Sequence, residues 1–165
     1  MPTDELSAGN LQSLRDHLLS LLRGANAHLS FDDFDAGFPA NICGRRVEGL
    51  PYTAWQVLEH MRIAQWDILE FCRDAKHVSP EWPEGYWPKA EQLGDAQLWQ
   101  DSGRQFRADL KQMEELVSDQ STNLFAAIPH GSGQTILREA LLVADHNSYH
   151  LGVLVLLGRL VKAAE

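Results

Sequence analysis

The sequence predicts an all-α protein, a single four-helix bundle over residues 1–165. Three observations lead there: long segments with apolar residues at three- and four-residue steps, Gly- and Pro-rich breaks between them, and no run alternating apolar with polar residues. A chain of 165 residues fits one domain with a sizeable core.

The first helix is expected over 3–29, where Leu11, Leu14, Leu18, Leu21, Leu22, Ala25 and Leu29 form an amphipathic stripe. Residues 30–51 lose the period at Gly37, Pro39, Gly44, Gly49 and Pro51 and read as a long loop. The second helix starts near Pro51–Thr53, with Pro51 in the first turn, where its missing N–H has no partner to lose. Val57, Met61, Ala64, Ile68 and Phe71 make one face, widened by Leu58, Trp66, Leu69 and Cys72, so this helix should touch two neighbours.

Residues 75–94 contain Pro80, Pro83, Gly85, Pro88 and Gly94, with Trp82, Tyr86 and Trp87 between them. The segment reads as an extended crossover packed on the bundle. Asp95 is the expected N-cap of a third helix, whose stripe is Leu98, Trp99, Phe106, Leu110, Met113, Leu116 and Val117, ending near Asp119. Residues 120–133 read as loop. The fourth helix runs from about Gln134 to Ala163, with Ile136, Leu137, Ala140, Leu141, Ala144, Leu151, Leu154 and Val155 as core. A crossover as long as 75–94 allows the second and third helices to be parallel, giving an up-down-down-up topology.

Charge removes several functions. With 23 acidic against 14 basic residues and a net charge of −9, the surface repels phosphate, so neither nucleic acid nor an anionic membrane is an expected partner. Unbroken apolar runs such as Val153–Leu157 fall far short of the ~20 residues that span a bilayer. The N-terminus shows no leader pattern, and Cys43 and Cys72 make no disulfide framework, so a cytoplasmic location is expected.

Two of the seven histidines stand apart. His146 and His150, in DHNSYHLG, are four residues apart and share one helix face in a mostly apolar row with Glu139, Leu142, Val143, Val153 and Leu157. Such a pair can converge on one metal ion. Alternatively, one ring faces solvent and the other is hydrogen-bonded in the core. His60 adds a third imidazole, on the side of the second helix that carries Val57 and Ala64. It lies ~13 Å into that helix, and His150 ~20 Å from the end of the fourth, so antiparallel packing can bring them to similar depth. His17 and His28 are ~16 Å apart along one helix, too far to share an ion. His77 follows a helix end and favours its dipole, and His130 reads as a surface turn.

Three segments, LPYTAWQVLEHMRIAQWDILEF, EWPEGYWP and GSGQTILREALLVADHNSYHLGVLVLLGRL, resemble the DinB-like superfamily, which includes YfiT-type and bacillithiol-transferase-like proteins. The resemblance covers nearly the whole chain. It implies an up-down-down-up bundle, usually a homodimer, with three histidines holding a divalent metal such as nickel or zinc. Here that site falls on His60, His146 and His150. It also implies thiol-dependent transferase or isomerase chemistry on a small-molecule substrate, with a low-molecular-weight thiol as partner.

An ion held by neutral imidazoles keeps its full charge and open positions, which suits either hydrolysis or thiol transfer. No general acid or base can be named. Glu59 and Asp145 adjoin the histidines but project about a hundred degrees away around a helix. Asp67, two turns from His60, is the better supporting carboxylate, or else a solvated group at the core edge. Arg45 and Arg46 read as an anion clamp or as plain surface charge. The rival to an enzyme is a non-catalytic bundle that binds a small molecule or partner and keeps a structural or vestigial three-His site. The Trp-rich crossover and the broad second helix also lead to the expectation of a homodimer with C₂ symmetry.

Overall fold

The computed structural model describes residues 7–24 and 26–163. Among these, apart from an isolated bridge between Ala127 and Thr135, the regular elements are helical. They are α1 (Ala8–Arg23), α2 (Phe31–Ala36), α3 (Ala54–Arg73), α4 (Ala96–Ser118) and α5 (Ile136–Ala163), with 3₁₀ turns at Ala40–Ile42 and Glu84–Tyr86. The all-α expectation holds.

Helix ends follow local chemistry. Asp95 caps α4 as expected, its carboxylate accepting the Leu98 N–H at 2.8 Å. At α3, Thr53 and Gln56 form a reciprocal capping box, each side chain taking the other's backbone N–H. The helix therefore starts after Thr53, and Pro51 lies before the cap rather than in the first turn.

Two boundaries differ from the sequence reading. The first helix ends at Arg23, not 29, because Gly24 turns the chain at φ +70°. Leu21 and Leu29 are consequently exposed, while Leu18 and Leu22 are buried; Ala25 and residues 3–6 lie outside the described residues. Residues 30–51 are not simply loop. Ser30 and Asp33 form a second capping box, and α2 buries Phe31 and Phe34. These rings and Phe38 pack with Trp99 and Phe106, at centroid distances of 4.8 Å for Phe31–Phe106 and 4.7 Å for Phe38–Trp99. The Trp99 indole N–H donates to Asp35 at 2.6 Å and ties α2 to α4.

Polar contacts fix the helix directions. Along α3 and α4, Trp55 meets Ser102, Gln65 the Phe106 carbonyl, and Arg73 meets Gln112, so the two run parallel. α5 runs against α3, since His60 meets His150 and the later Gln65 meets the earlier Asn147. α1 runs against α4: Gln12 meets Gln120, and Arg23 meets Glu114. Arg15, almost wholly buried, donates to the carbonyls of Val117 and Thr122, placing a cation at the negative end of the α4 dipole.

The broad apolar face of α3 is used inside the chain. Val57, Leu58, Met61 and Leu69 are buried in core clusters that α3 shares with α4 and α5, while Ala64 and Ile68 border a cavity. By length and mean hydropathy (1.3) α5 could cross a membrane, contrary to the reading from unbroken runs. Its row Ala140, Val143, Ala144, Leu151, Leu154 and Leu157 is buried in the bundle, while Leu141, Leu156 and Leu160 are exposed.

The crossover is docked along its length. Thr53 donates to the Leu93 carbonyl at 2.7 Å and Gln56 to the Gln92 carbonyl at 3.0 Å. Gly94, at φ +92°, lies so close to Trp55 that an added Cβ would sit 2.4 Å from that side chain. Arg46 donates to the Ala90 carbonyl at 3.1 Å and so braces the crossover. Cys43 and Cys72 are free thiols, pushed up to about 11 and about 12 by burial first, with Asp95 and Glu139 respectively adding.

If α2 is core, Phe34→Ala should cost about 3–4 kcal/mol, the usual penalty for removing a buried aromatic ring. Urea denaturation checks this. A loss below about 1 kcal/mol would return residues 30–38 to the status of surface loop.

Candidate metal centre

His60 sits on the buried face of α3, while His146 and His150 lie one turn apart on α5. Antiparallel packing brings the three together: the Nε2 atoms of His146 and His150 lie 3.1 and 3.2 Å from Nε2 of His60. One ligand atom from each residue falls within 4.8 Å of the others. The three histidines singled out in the sequence are thus one cluster that could hold a metal ion.

The orientation of His60 comes from the crossover. Its Nδ1 is 2.8 Å from the Tyr86 carbonyl oxygen, which can only accept, so Nδ1 carries the ring proton. The Nε2 lone pair then faces α5. The Trp87 indole stacks flat on His60, with centroids 3.9 Å apart and planes 1° from parallel, and Tyr52 stacks on the far side of Trp87 at 3.9 Å. A neutral His60 has a single lone pair at Nε2 for two imidazole neighbours, so at most one contact is a good hydrogen bond.

A divalent ion held by His60, His146 and His150 would resolve that mismatch by taking one lone pair from each. With metal–nitrogen bonds of about 2.0–2.1 Å, ligands at octahedral to tetrahedral angles stand about 2.9–3.4 Å apart. The two separations from His60, 3.1 and 3.2 Å, fall inside that window, and the third pair lies within 4.8 Å. The donor set fits a metal.

Asp67 supports the cluster at one remove. Its carboxylate accepts the Tyr86 hydroxyl at 2.6 Å and His77 Nε2 at 2.7 Å, and Tyr86 in turn presents its carbonyl to His60. Burial and the Asp67 contact push the Tyr86 phenol up to about 12, so it stays a donor. His77 is therefore no free dipole partner at a helix end. Its ring is mostly buried, edge-on to Trp66 at 5.1 Å, and belongs to the scaffold of the site.

The remaining histidines stay apart. His17 and His28 are exposed, and His130 is bonded to the Phe71 carbonyl at 2.7 Å. Glu59 points away, as its helical phase required, bonding to Arg62 and Ser102.

Burial disfavours the charged imidazole. It is the first cause that takes His146 down to about 4, with the His60 ring adding, and His150 down to about 4, with His146 and His60 adding. His60 is lowered by burial too, opposed by the Tyr86 carbonyl. Protons therefore compete for His146 and His150 near pH 4, below the value of about 6.5 for a free imidazole.

A cavity of about 600 Å³ opens over the cluster. The histidines form part of its lining, and Ile68, Leu142, Trp82, Trp87 and Tyr149 supply apolar and aromatic wall. Asp145, exposed, lines it as well.

No protein-family model, curated protein or solved structure matches this chain.

The depressed histidines make metal-free stability depend on pH with a definite sign. Below about pH 6.5 the unfolded chain takes up protons that folded His146 and His150 refuse until about 4, so stability is full above that window and lost as pH falls through it. The melting temperature of the metal-free protein should drop between about pH 6.5 and 4, and drop less for the H146Q/H150Q double variant. Parallel curves would contradict the assignment.

Proposed function

We propose that the chain is a DinB-like protein, with α1, α3, α4 and α5 as an up-down-down-up bundle, that uses a divalent ion, zinc or nickel, to act on a small molecule. The observation that carries this reading is the convergence of three imidazole Nε2 atoms beside an open cavity. The order of contacts along α3, α4, α5 and α1 supports the topology.

His60, His146 and His150 would hold the ion, and His60 enters with its tautomer already set by Tyr86. When bound, such an ion lowers the pKa of water or of a thiol, which serves either a hydrolase or a thiol transferase. The chain's own residues bind and orient: Trp87 and Tyr52 hold the His60 plane, and the apolar wall limits water around the reacting molecule. Asp67 accepts from both Tyr86 and His77, which makes it an anchor and leaves Asp145 as the cavity carboxylate without a hydrogen bond or ion pair among the described residues. With Asp67 engaged in this way, the second reading is a non-catalytic small-molecule binder with the same metal centre.

For assembly we propose a homodimer through the outward face of α5. Leu141, Leu156 and Leu160 are 45, 54 and 39% exposed there, and Gly152 offers a place for close approach. Light scattering should give twice 18.5 kDa, and Leu156→Glu should return the single-chain mass. A parent that stays at 18.5 kDa over a wide concentration range rejects the dimer.

If the three histidines share one ion, loss of any ligand leaves an incomplete shell. His150→Ala should then abolish tight zinc or nickel binding almost as fully as the triple alanine variant. It should also remove most of the thermal stabilisation that added metal gives the parent, since an ion that binds only the folded chain stabilises by mass action. His17→Ala, at an exposed and distant ring, serves as the control. Equal metal content in parent and His150→Ala would sink the shared site.

A further inference from the structure

The charge of the cavity points to its ligand. Among the described residues that line it there is neither Lys nor Arg, whereas two carboxylates, Asp67 and Asp145, do. Asp67 is engaged by Tyr86 and His77, but Asp145 has no hydrogen bond or ion pair with any described residue. Three large aromatic side chains, Trp82, Trp87 and Tyr149, belong to the same wall, and Trp82 and Tyr149 are 75 and 69% exposed. At the lining, His60 is only 4% exposed and turns Nε2 towards His146 and His150.

We propose that the cavity wall beyond the three histidines favours a small molecule carrying an ammonium group on an apolar or aromatic body over the same body carrying a carboxylate; the proposal rests on the metal-centre reading for where chemistry would occur, but not for the charge preference of that wall. A carboxylate or phosphate entering here would lose water against a largely apolar wall with no Lys or Arg to replace it. An ammonium meets the Asp145 carboxylate and aromatic faces, whose negative π clouds attract cations. The chain's net charge of −9 also raises the local concentration of cations. The volume, about 600 Å³, suits a drug-sized or smaller ligand. Among low-molecular-weight thiols, this wall favours an aminothiol over a polycarboxylate thiol.

Three probes with the same body separate charge from shape: 2-phenylethylamine, 2-phenylethanol and phenylacetate. They are titrated by calorimetry into the EDTA-treated full chain near pH 7.5, where the amine is charged and no metal can ligate phenylacetate. The amine should bind at least about tenfold more tightly than phenylacetate, with the alcohol between them. Asp145→Asn should bring the amine to within about threefold of the alcohol and leave the alcohol unchanged, and Leu142→Trp, which fills the cavity, should weaken all three. Phenylacetate binding as well as the amine, no binding of any probe, or an amine affinity untouched by Asp145→Asn would overturn the proposal. Zinc uptake by the same preparation is read separately. A chain that prefers the amine but takes no zinc keeps this inference and loses the metal reading, and the reverse result does the opposite.

Discussion

A neutral imidazole carries one ring proton, and in His60 the Tyr86 carbonyl decides where it sits. With Nδ1 committed to that oxygen, Nε2 can only present a lone pair to α5, where His146 and His150 wait at 3.1 and 3.2 Å. Much of the surrounding architecture serves this orientation. Trp87 lies flat on the ring, Tyr52 backs Trp87, and Asp67 fixes Tyr86 by its hydroxyl with help from His77. The crossover is thus the outer wall of the site, which accounts for its aromatic content.

The arrangement costs the metal-free chain something. Three imidazoles are packed where charge is disfavoured, and their lone pairs cannot all be satisfied by one another. A functional group held in an otherwise uncomfortable setting is common where binding or chemistry takes place. Elsewhere buried polar side chains tie the helices together, while Arg15 Nε, Asp109 Oδ2 and Asn147 Oδ1 find no partner among the described residues. Gln65 bridges the Phe106 carbonyl and Asn147, and Trp55, Ser102 and Glu59 form a continuous chain of hydrogen bonds. These links set α3 against both α4 and α5 and so keep the histidines at one depth.

Much of this could be read from the sequence, for identifiable reasons. The long helices announced themselves because a 3.6-residue apolar period over twenty residues has few alternatives, and Asp95 marked the α4 start by its capping chemistry. The three site histidines were found by spacing on α5 and by phase on α3. α2 was missed because six residues are too few for a period, and Gly37 and Pro39 dominated the segment. Its signals were present in the Ser30–Asp33 box and in Phe31, Phe34 and Phe38. Gly24 likewise offered the stop that the apolar Leu29 concealed. The Tyr86 contact was beyond reach for a different reason: a main-chain carbonyl has no side-chain signature. His77 reaches Asp67 only once the chain turns back after α3, so its part in the scaffold needed the tertiary fold.

The central claim is that three imidazoles, set by the Tyr86 carbonyl and the Trp87 stack, form one ligand set. X-ray absorption at the metal edge of the zinc-loaded protein tests it most directly, because imidazole rings scatter with a distinctive outer-shell pattern. The account predicts one ion per chain with three imidazole nitrogens at about 2.0–2.1 Å. A shell made of oxygen alone, or one with fewer than three imidazoles, would contradict it.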